Sequence, residues 1–276
     1  MSVIHPSHRL KELDLAARKG LGQHFLADRG VLSKIMQAAN LSQDDTVIEV
    51  GPGLGVLTAE LVKCAGRVVS VELDGALVRS LRTEMASARN LTIVQGDILS
   101  LPPEGLLSDI AGGYKVVANL PYYITSAVLR HFLESARRPE CLVVMVQREV
   151  ARSMTAAPGE LSLLGLSVQI FGTPQVVSRV PAGAFYPPPK VESAVVKIQT
   201  FPTPVIPEAE LTGFFNVARA AFSTARKQIQ NSLSHGLGRD KVDIVRLLDA
   251  AGIDARRRAE TLDIPEWVRL WEVFRA

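Results

Sequence analysis

Five short apolar runs alternate with helix-like segments between residues 46 and 147, and this alternation constrains the fold more than any other feature. TVIEV (46–50), RVVSVEL (67–73), LTIVQ (91–95), KVVAN (115–119) and CLVVMVQ (141–147) are almost continuously apolar. Strands of a parallel sheet covered on both faces must have that character. Between them, LGVLTAELVKCA (54–65) places Leu54, Leu57, Leu61 and Val62 on one helical face. DGALVRSLRTEMA (74–86) is helical with Asp74 as its N-cap, and SAVLRHFLES (126–135) supplies a third helix. The expected class is α/β, a doubly wound Rossmann-like sheet.

The pattern changes after residue 172. TPQVVSRV (173–180) and KVESAVVKIQ (190–199) read as two strands joined by the proline-rich PAGAFYPPP (181–189), an antiparallel hairpin at the sheet edge. FPTPVIP (201–207) has three prolines in seven residues and reads as a linker. Residues 208–276 carry no strand signal and about four helical patterns, broken at His235-Gly236, Gly252 and Pro265. The expected organisation is a first domain over 1–200, with 1–18 flexible, then the linker, then a small all-α domain over 208–276.

Bulk properties exclude several classes. A net charge of +3, from 31 Lys+Arg against 28 Asp+Glu, permits a nucleic-acid partner without demanding one. Cys64 and Cys141 form neither a disulfide framework nor a metal site and read as buried thiols in a reducing cytosol. Residues 1–20 lack the continuous apolar stretch of a secretory leader. No window supplies the roughly 18 uncharged apolar residues of a membrane span. The expectation is a soluble, cytoplasmic monomer without membrane or metal.

EVGPGLG follows a strand and opens a helix. Gly51, Gly53 and Gly55 permit a tight turn and close backbone approach to a ligand. Glu72 ends the second strand, 21 residues after Gly51, where a carboxylate can accept hydrogen bonds from both ribose hydroxyls of an adenosine-containing cofactor. NAD and S-adenosylmethionine both fit this far. The GxGxG spacing, with Val56 where GxGxxG needs glycine, disfavours the pyrophosphate turn of NAD. Asp97, after Gly96, is placed to accept from the cofactor's adenine amine, or simply ends a turn.

Asn119-Leu120-Pro121-Tyr122 ends the fourth strand, so Gly51, Glu72, Asp97 and Asn119 converge on one edge of the sheet. An exocyclic adenine amine is a poor nucleophile because its lone pair is delocalised into the ring. The Asn119 side-chain oxygen and a backbone carbonyl can each accept one N–H and turn that lone pair toward a methyl carbon. Both acceptors stabilise the positive charge that develops on nitrogen. Pro121 stiffens the loop and Tyr122 offers a stacking surface. Phe185, ahead of Pro187-Pro-Pro189, either covers the other face of the base or plugs the hairpin.

Taken together these motifs resemble the bacterial small-subunit ribosomal RNA adenine dimethyltransferase family. The resemblance runs through Lys19-Gly-Leu-Gly-Gln-His-Phe-Leu26, Val47-Ile-Glu-Val-Gly-Pro-Gly-Leu-Gly55, Val71-Glu-Leu-Asp74, Gly96-Asp97, Asn119-Leu-Pro-Tyr-Tyr-Ile124, Phe185-Tyr-Pro-Pro-Pro-Lys-Val191 and Asn231-Ser-Leu233, nearly the whole chain. It implies a Rossmann-like methyltransferase sheet and S-adenosylmethionine-dependent dimethylation of two adjacent adenosines in the 3′-terminal hairpin loop of 16S rRNA, within an immature 30S subunit. It implies that His24 and Leu26 contact the cofactor, with Gln23 nearby; from the residues alone His24 is a surface histidine. It implies that the helical domain grips rRNA. Arg219, Arg226, Lys227 and Arg256, Arg257 and Arg258 are then candidate phosphate contacts, as is Lys190 of the proline segment. The chain departs from the family at Ala127, Leu163-Leu164 and Ala225, none of them at the expected reaction centre. A 23S rRNA methyltransferase of the erythromycin-resistance type and a non-catalytic assembly factor are the rival readings. The PPPKV segment and Arg258-Ala-Glu-Thr-Leu262 favour the small-subunit family over the first, and intact Glu72, Asp97 and Asn119 argue against the second.

Overall fold

The computed structural model describes residues 5–224 and 226–276, so residues 1–4 and the departure at Ala225 lie outside the described residues. The strands are β1 (Phe25–Leu26), β2 (Thr46–Val50), β3 (Arg67–Glu72), β4 (Leu91–Gln95), β5 (Lys115–Asn119), β6 (Cys141–Gln147), β7 (Gly172–Val180), β8 (Phe185–Tyr186) and β9 (Ser193–Thr200). The helices are α1 (Pro6–Glu12), α2 (Arg29–Ala39), α3 (Val56–Cys64), α4 (Gly75–Glu84), α5 (Pro103–Leu106), α6 (Thr125–Leu133), α7 (Arg148–Met154) and α8 (Leu163–Gln169), followed by α9 (Leu211–Phe222), α10 (Ile229–Leu237), α11 (Lys241–Ala250) and α12 (Ile264–Arg275).

The chain divides into two compact units, one through Ala151 with Pro174–Thr200, the other Arg152–Thr173 with Phe201–Ala276. In the first, seven strands lie in the order β4-β3-β2-β5-β6-β9-β7. β2 through β6 pair in parallel, and β9 runs antiparallel to β6. Val47, Val117, Val143, Met145 and Val195 face α2 and α3 through Val31, Ile35, Leu57 and Leu61. The alternate residues Ile48, Val116, Leu142, Val144 and Val196 are equally buried. Burial on both faces is why these strands read as continuous apolar runs. The chain reverses direction across the sheet between β2 and β5, and the carboxyl ends there form the crevice in which α/β sheets bind ligands.

Several boundaries differ from expectation. Leu54 lies in the loop before α3, with Gly55 as the N-cap. Lys190–Glu192 precede β9 rather than belonging to it. His235-Gly236 sits inside α10, which ends at Gly238 in a left-handed C-cap; the apolar stripe outweighs one internal glycine. Pro265 falls in the first turn of α12, where its missing N–H costs nothing. The segment read as flexible contains α1, whose Leu10 packs with Phe25 and Leu77.

The domain boundary also needs correction, because residues 152–173 belong with the C-terminal helices. The Gly159 and Leu161 N–H groups donate to the Glu260 carbonyl at 2.7 and 3.3 Å. The proline-rich stretch is not a free linker either. Phe201 and Val205 donate to the carbonyls of Phe171 and Ile170 at 2.8 and 3.0 Å, and Ile206 is buried.

In this second unit Trp267 stacks on Phe222 and meets Phe214 edge-on. Arg257 grips both carboxylate oxygens of Glu266, and its Nε donates to Thr261 Oγ1 at 3.1 Å. Glu266 also closes the capping box of α12 with Asp263. The guanidinium holds the Glu266 carboxyl below the usual range. Arg257→Ala is therefore expected to lower stability by about 2 kcal/mol, the scale of a partly buried pair left with one partner. The exposed Arg256, changed to alanine, should stay within about 0.5 kcal/mol of the parent. Urea denaturation midpoints of the two variants check this contrast.

Candidate active site

The carboxyl ends of β2, β3 and β5, with the segment Leu21–Leu26, enclose a cleft of about 340 Å3. That volume is within the range of small-molecule sites. Gly51, Gly53, Glu72, Asp97, Asn119, Leu120, Pro121, Tyr122, Gln23, His24 and Leu26 all line it, so eleven of the predicted residues are brought together. Phe185 and the seven basic candidates do not line it.

The glycine loop has the conformation its sequence demands. Gly53 has φ +58°, and a Cβ there would lie 3.1 Å from the Phe25 ring. Gly55 has φ +77°, and a Cβ would sit 2.5 Å from Leu81 Cδ1, in the packing of α3 on α4. The left-handed backbone strains any other residue at both positions, and a Cβ would in addition make Phe25 or Leu81 shift. Glu72 reaches back to this loop. Its Oε2 accepts from Gly53 N–H at 3.1 Å and its Oε1 from Asp74 N–H at 2.9 Å. Burial raises its carboxyl above the ordinary value against those two hydrogen bonds. Each oxygen keeps a lone pair for a further donor such as a ribose hydroxyl. Asp97 is exposed and caps the following turn, Leu99 N–H donating to Oδ1 at 3.0 Å.

A third carboxylate escaped the sequence reading. Glu49, on β2, lines the cleft yet is buried. Its Oε2 accepts from Ser70 Oγ at 2.6 Å and Thr58 Oγ1 at 2.8 Å, while Oε1 has no hydrogen-bond partner among the described residues. Desolvation pushes its carboxyl up to about 7, against the two hydroxyls. The signal was a charge inside an otherwise apolar strand, directly before the glycines. The N-terminal segment was also missed: Leu10, Leu15 and Ala17 pack on Phe25, Leu54 and Leu77, three residues that line the cleft.

The wall built by the Asn119 loop and the segment Gln23–Leu26 is tightly cross-linked. Asn119 Nδ2 donates to the His24 carbonyl at 3.0 Å. A carbonyl can only accept, so the amide's orientation is fixed and Oδ1 is left as the acceptor. The His24 ring stacks on Tyr122, centroids 5.8 Å apart at 23°, and its Nδ1 bonds the Pro187 carbonyl at 2.7 Å. Far from being a surface histidine, it joins three segments. Gln23 bridges Arg18 N–H at 2.8 Å and Asp74 at 3.4 Å. Leu26 pairs with Phe185 between β1 and β8. Phe185 itself is 4% exposed and packs in the core with Val180 and Ala184. Of its two readings, the hydrophobic plug describes this placement.

The basic candidates divide by environment. Lys190, Arg219, Arg226, Lys227, Arg256 and Arg258 are exposed. Arg257 is not available in the same sense, its donors being taken by Glu266 and Thr261.

The lining is chemically selective. It holds three carboxylates, Glu49, Glu72 and Asp97, and no lysine or arginine among the described residues. The carboxylates disfavour a pyrophosphate, which finds no lysine or arginine there to offset them, and favour a cationic cofactor. S-adenosylmethionine, with its sulfonium and ammonium charges, fits these acceptors better than NAD does. No group of three metal-ligating side chains occurs among the described residues, and none of their helices is long and apolar enough to cross a membrane.

Comparison with known proteins agrees with this geometry. Ribosomal RNA small subunit methyltransferase A of Dehalococcoides mccartyi is 54% identical over 256 residues, 93% of this chain and 88% of that one. The protein of the same name from Moorella thermoacetica is 43% identical, covering 98% of this chain and 97% of its own. The crystal structure of the 23S rRNA methyltransferase ErmE aligns with a TM-score of 0.71 at 29% identity, over 91% of this chain and 100% of that one. A dimethyladenosine transferase from Plasmodium falciparum shares the fold with a TM-score of 0.73 at 24% identity, over 90% of this chain and 96% of its own. The family model described as ribosomal RNA adenine dimethylase matches residues 15–270, and the chain belongs to that family.

Proposed function

We propose that this chain transfers methyl groups to the N6 amines of two adjacent adenosines in the 3′-terminal hairpin loop of 16S rRNA, acting as a monomer on an immature 30S subunit in the cytoplasm. The reaction class, S-adenosylmethionine-dependent dimethylation of rRNA adenine, is that of the family. One observation carries the finer reading. Asn119 stands with its amide pinned by the His24 carbonyl at the wall of a carboxylate-lined cleft that has no lysine or arginine among the described residues.

Glu72 is the ribose acceptor, and Asp97 accepts from the cofactor's adenine amine. Gln23, His24 and Leu26 close the cofactor side. S-adenosylmethionine, when bound, supplies an electrophilic methyl on a sulfonium. Asn119 Oδ1 accepts one N–H of the target amine. The second acceptor is the Leu120 carbonyl, since the Pro121 carbonyl already accepts from Ile124 N–H at 3.2 Å and Thr125 Oγ1 at 3.3 Å. With both N–H groups held, the nitrogen lone pair leaves ring conjugation and points at the methyl carbon. The same oxygens stabilise the cation that forms, and the product sheds its proton without a strong base. The amine must leave its helix stack to reach this wall, and Tyr122 offers its ring to the extruded base. Lys190, Arg219, Arg226, Lys227, Arg256 and Arg258 are candidate phosphate contacts.

The 54% identity to a small-subunit methyltransferase, against 29% to ErmE, favours 16S over 23S rRNA. The test is direct. Labelled S-adenosylmethionine is supplied with 30S subunits lacking the modification, and the digested 16S rRNA is searched for N6,N6-dimethyladenosine. Isolated 23S rRNA is offered in a parallel reaction: label confined to it transfers the reading to the resistance-type activity, and no label in either reaction removes the catalytic one.

A further inference from the structure

Tyr122 presents its ring to the cleft from a single 3-10 turn, Tyr122–Ile124, which by itself leaves the ring free to rotate. Two contacts hold it. The His24 ring covers part of one face. At the tip, the Tyr122 hydroxyl meets Ser193 Oγ at 2.5 Å. Ser193 is fully buried, so its hydroxyl needs a protein partner, and the pairing is costly to break. The topology explains how a residue so distant in sequence arrives there. β9 is antiparallel to β6, and its first residue, Ser193, pairs with the last of β6, Gln147. The start of β9 thus stands at the same sheet edge as the ends of β2, β3 and β5.

We propose that Ser193 is a positioning residue for methyl transfer, setting the plane of the Tyr122 ring through the hydroxyl pair. The inference rests on the reading of Tyr122 as the stacking surface for the target base. A base stacked on a tilted ring carries its amine away from Asn119 Oδ1, and small misplacements of this kind cost rate. Ser193 touches no reacting atom itself.

The test uses Ser193→Ala, Tyr122→Phe, the double variant and Tyr122→Ala, assayed on 30S subunits lacking the modification. Each single hydroxyl deletion is expected to lower kcat about tenfold, the scale of one hydrogen bond. Affinity for S-adenosylmethionine should stay within about twofold. The double variant should be no slower than either single one, because all three lack the same bond. Tyr122→Phe leaves the buried strand untouched and decides the matter should Ser193→Ala fold poorly. Parent-like kcat in Tyr122→Phe, or additive losses in the double variant, overturns the role of Ser193. Parent-like kcat in Tyr122→Ala overturns the stacking reading as well, which separates the two failures.

Discussion

Replacing Asn119 by alanine is expected to lower the methylation rate about a thousandfold, the scale of losing one preorganised polar group at a developing charge. Affinity for S-adenosylmethionine should change little, because Asn119 is one of many groups lining the cleft and carries no charge. The side chain does two things at once. Nδ2 holds the His24 carbonyl at 3.0 Å, and Oδ1 waits for the amine. Alanine removes both. Asn119→Asp keeps the acceptor and loses the donor, setting a carboxylate oxygen against the His24 carbonyl. That contact is repulsive, so the loop should shift and the rate fall about a hundredfold despite an intact acceptor. Single-turnover kinetics with saturating cofactor separate these losses from binding. Parent-like rates in Asn119→Ala would remove the amine-orienting mechanism.

The parts of this site that were legible in the sequence share a property: backbone geometry dictates them. Gly53 and Gly55 have positive φ and closely packed neighbours, so the glycine loop announces itself. Glu72 and Asn119 end strands, and a strand end in a parallel sheet is a position that periodicity alone locates. What stayed hidden depends on contacts between distant segments. Glu49 was absorbed into a strand pattern, since periodicity counts apolar residues and does not ask what a lone charge in their midst faces. His24 and Ser193 lie 98 and 71 residues from Tyr122, so no local pattern joins them. The grouping of 152–173 with the C-terminal helices has the same origin, hydrogen bonds from Gly159 and Leu161 to Glu260. Arg257 shows the converse error. Read as one of three like charges it is a phosphate contact, but only its neighbours Arg256 and Arg258 are exposed, and Arg257 is spent on Glu266.

Glu49 gives the second large effect, and it appears in stability rather than rate. Burial pushes its carboxyl up to about 7 in the folded chain, from an ordinary value of 4.5. Between those two pH values the folded state holds a proton that the unfolded chain has released. Stability is therefore fully present below pH 4.5 and falls as the pH rises through 7, by about 3 kcal/mol in all. Glu72, also raised by burial, acts in the same direction, so the measurement must be a difference. Glu49→Gln keeps an oxygen for the Ser70 and Thr58 hydroxyls and cannot ionise. Without cofactor, the variant should gain about 3 kcal/mol on the parent between pH 4.5 and pH 8.5, read from urea titrations at each pH. A pH-independent difference between the two proteins would mean that Glu49 carries no unusual proton. The cofactor supplies a further discrimination. A cation in the cleft favours the ionised carboxylate, so S-adenosylmethionine should narrow the gap at pH 8.5. S-adenosylhomocysteine, whose sulfur is neutral, should narrow it less. The buried proton of Glu49 and the charge of the sulfonium are then two occupants of one electrostatic site, in a cleft lined by three carboxyl groups and, among the described residues, by no lysine or arginine.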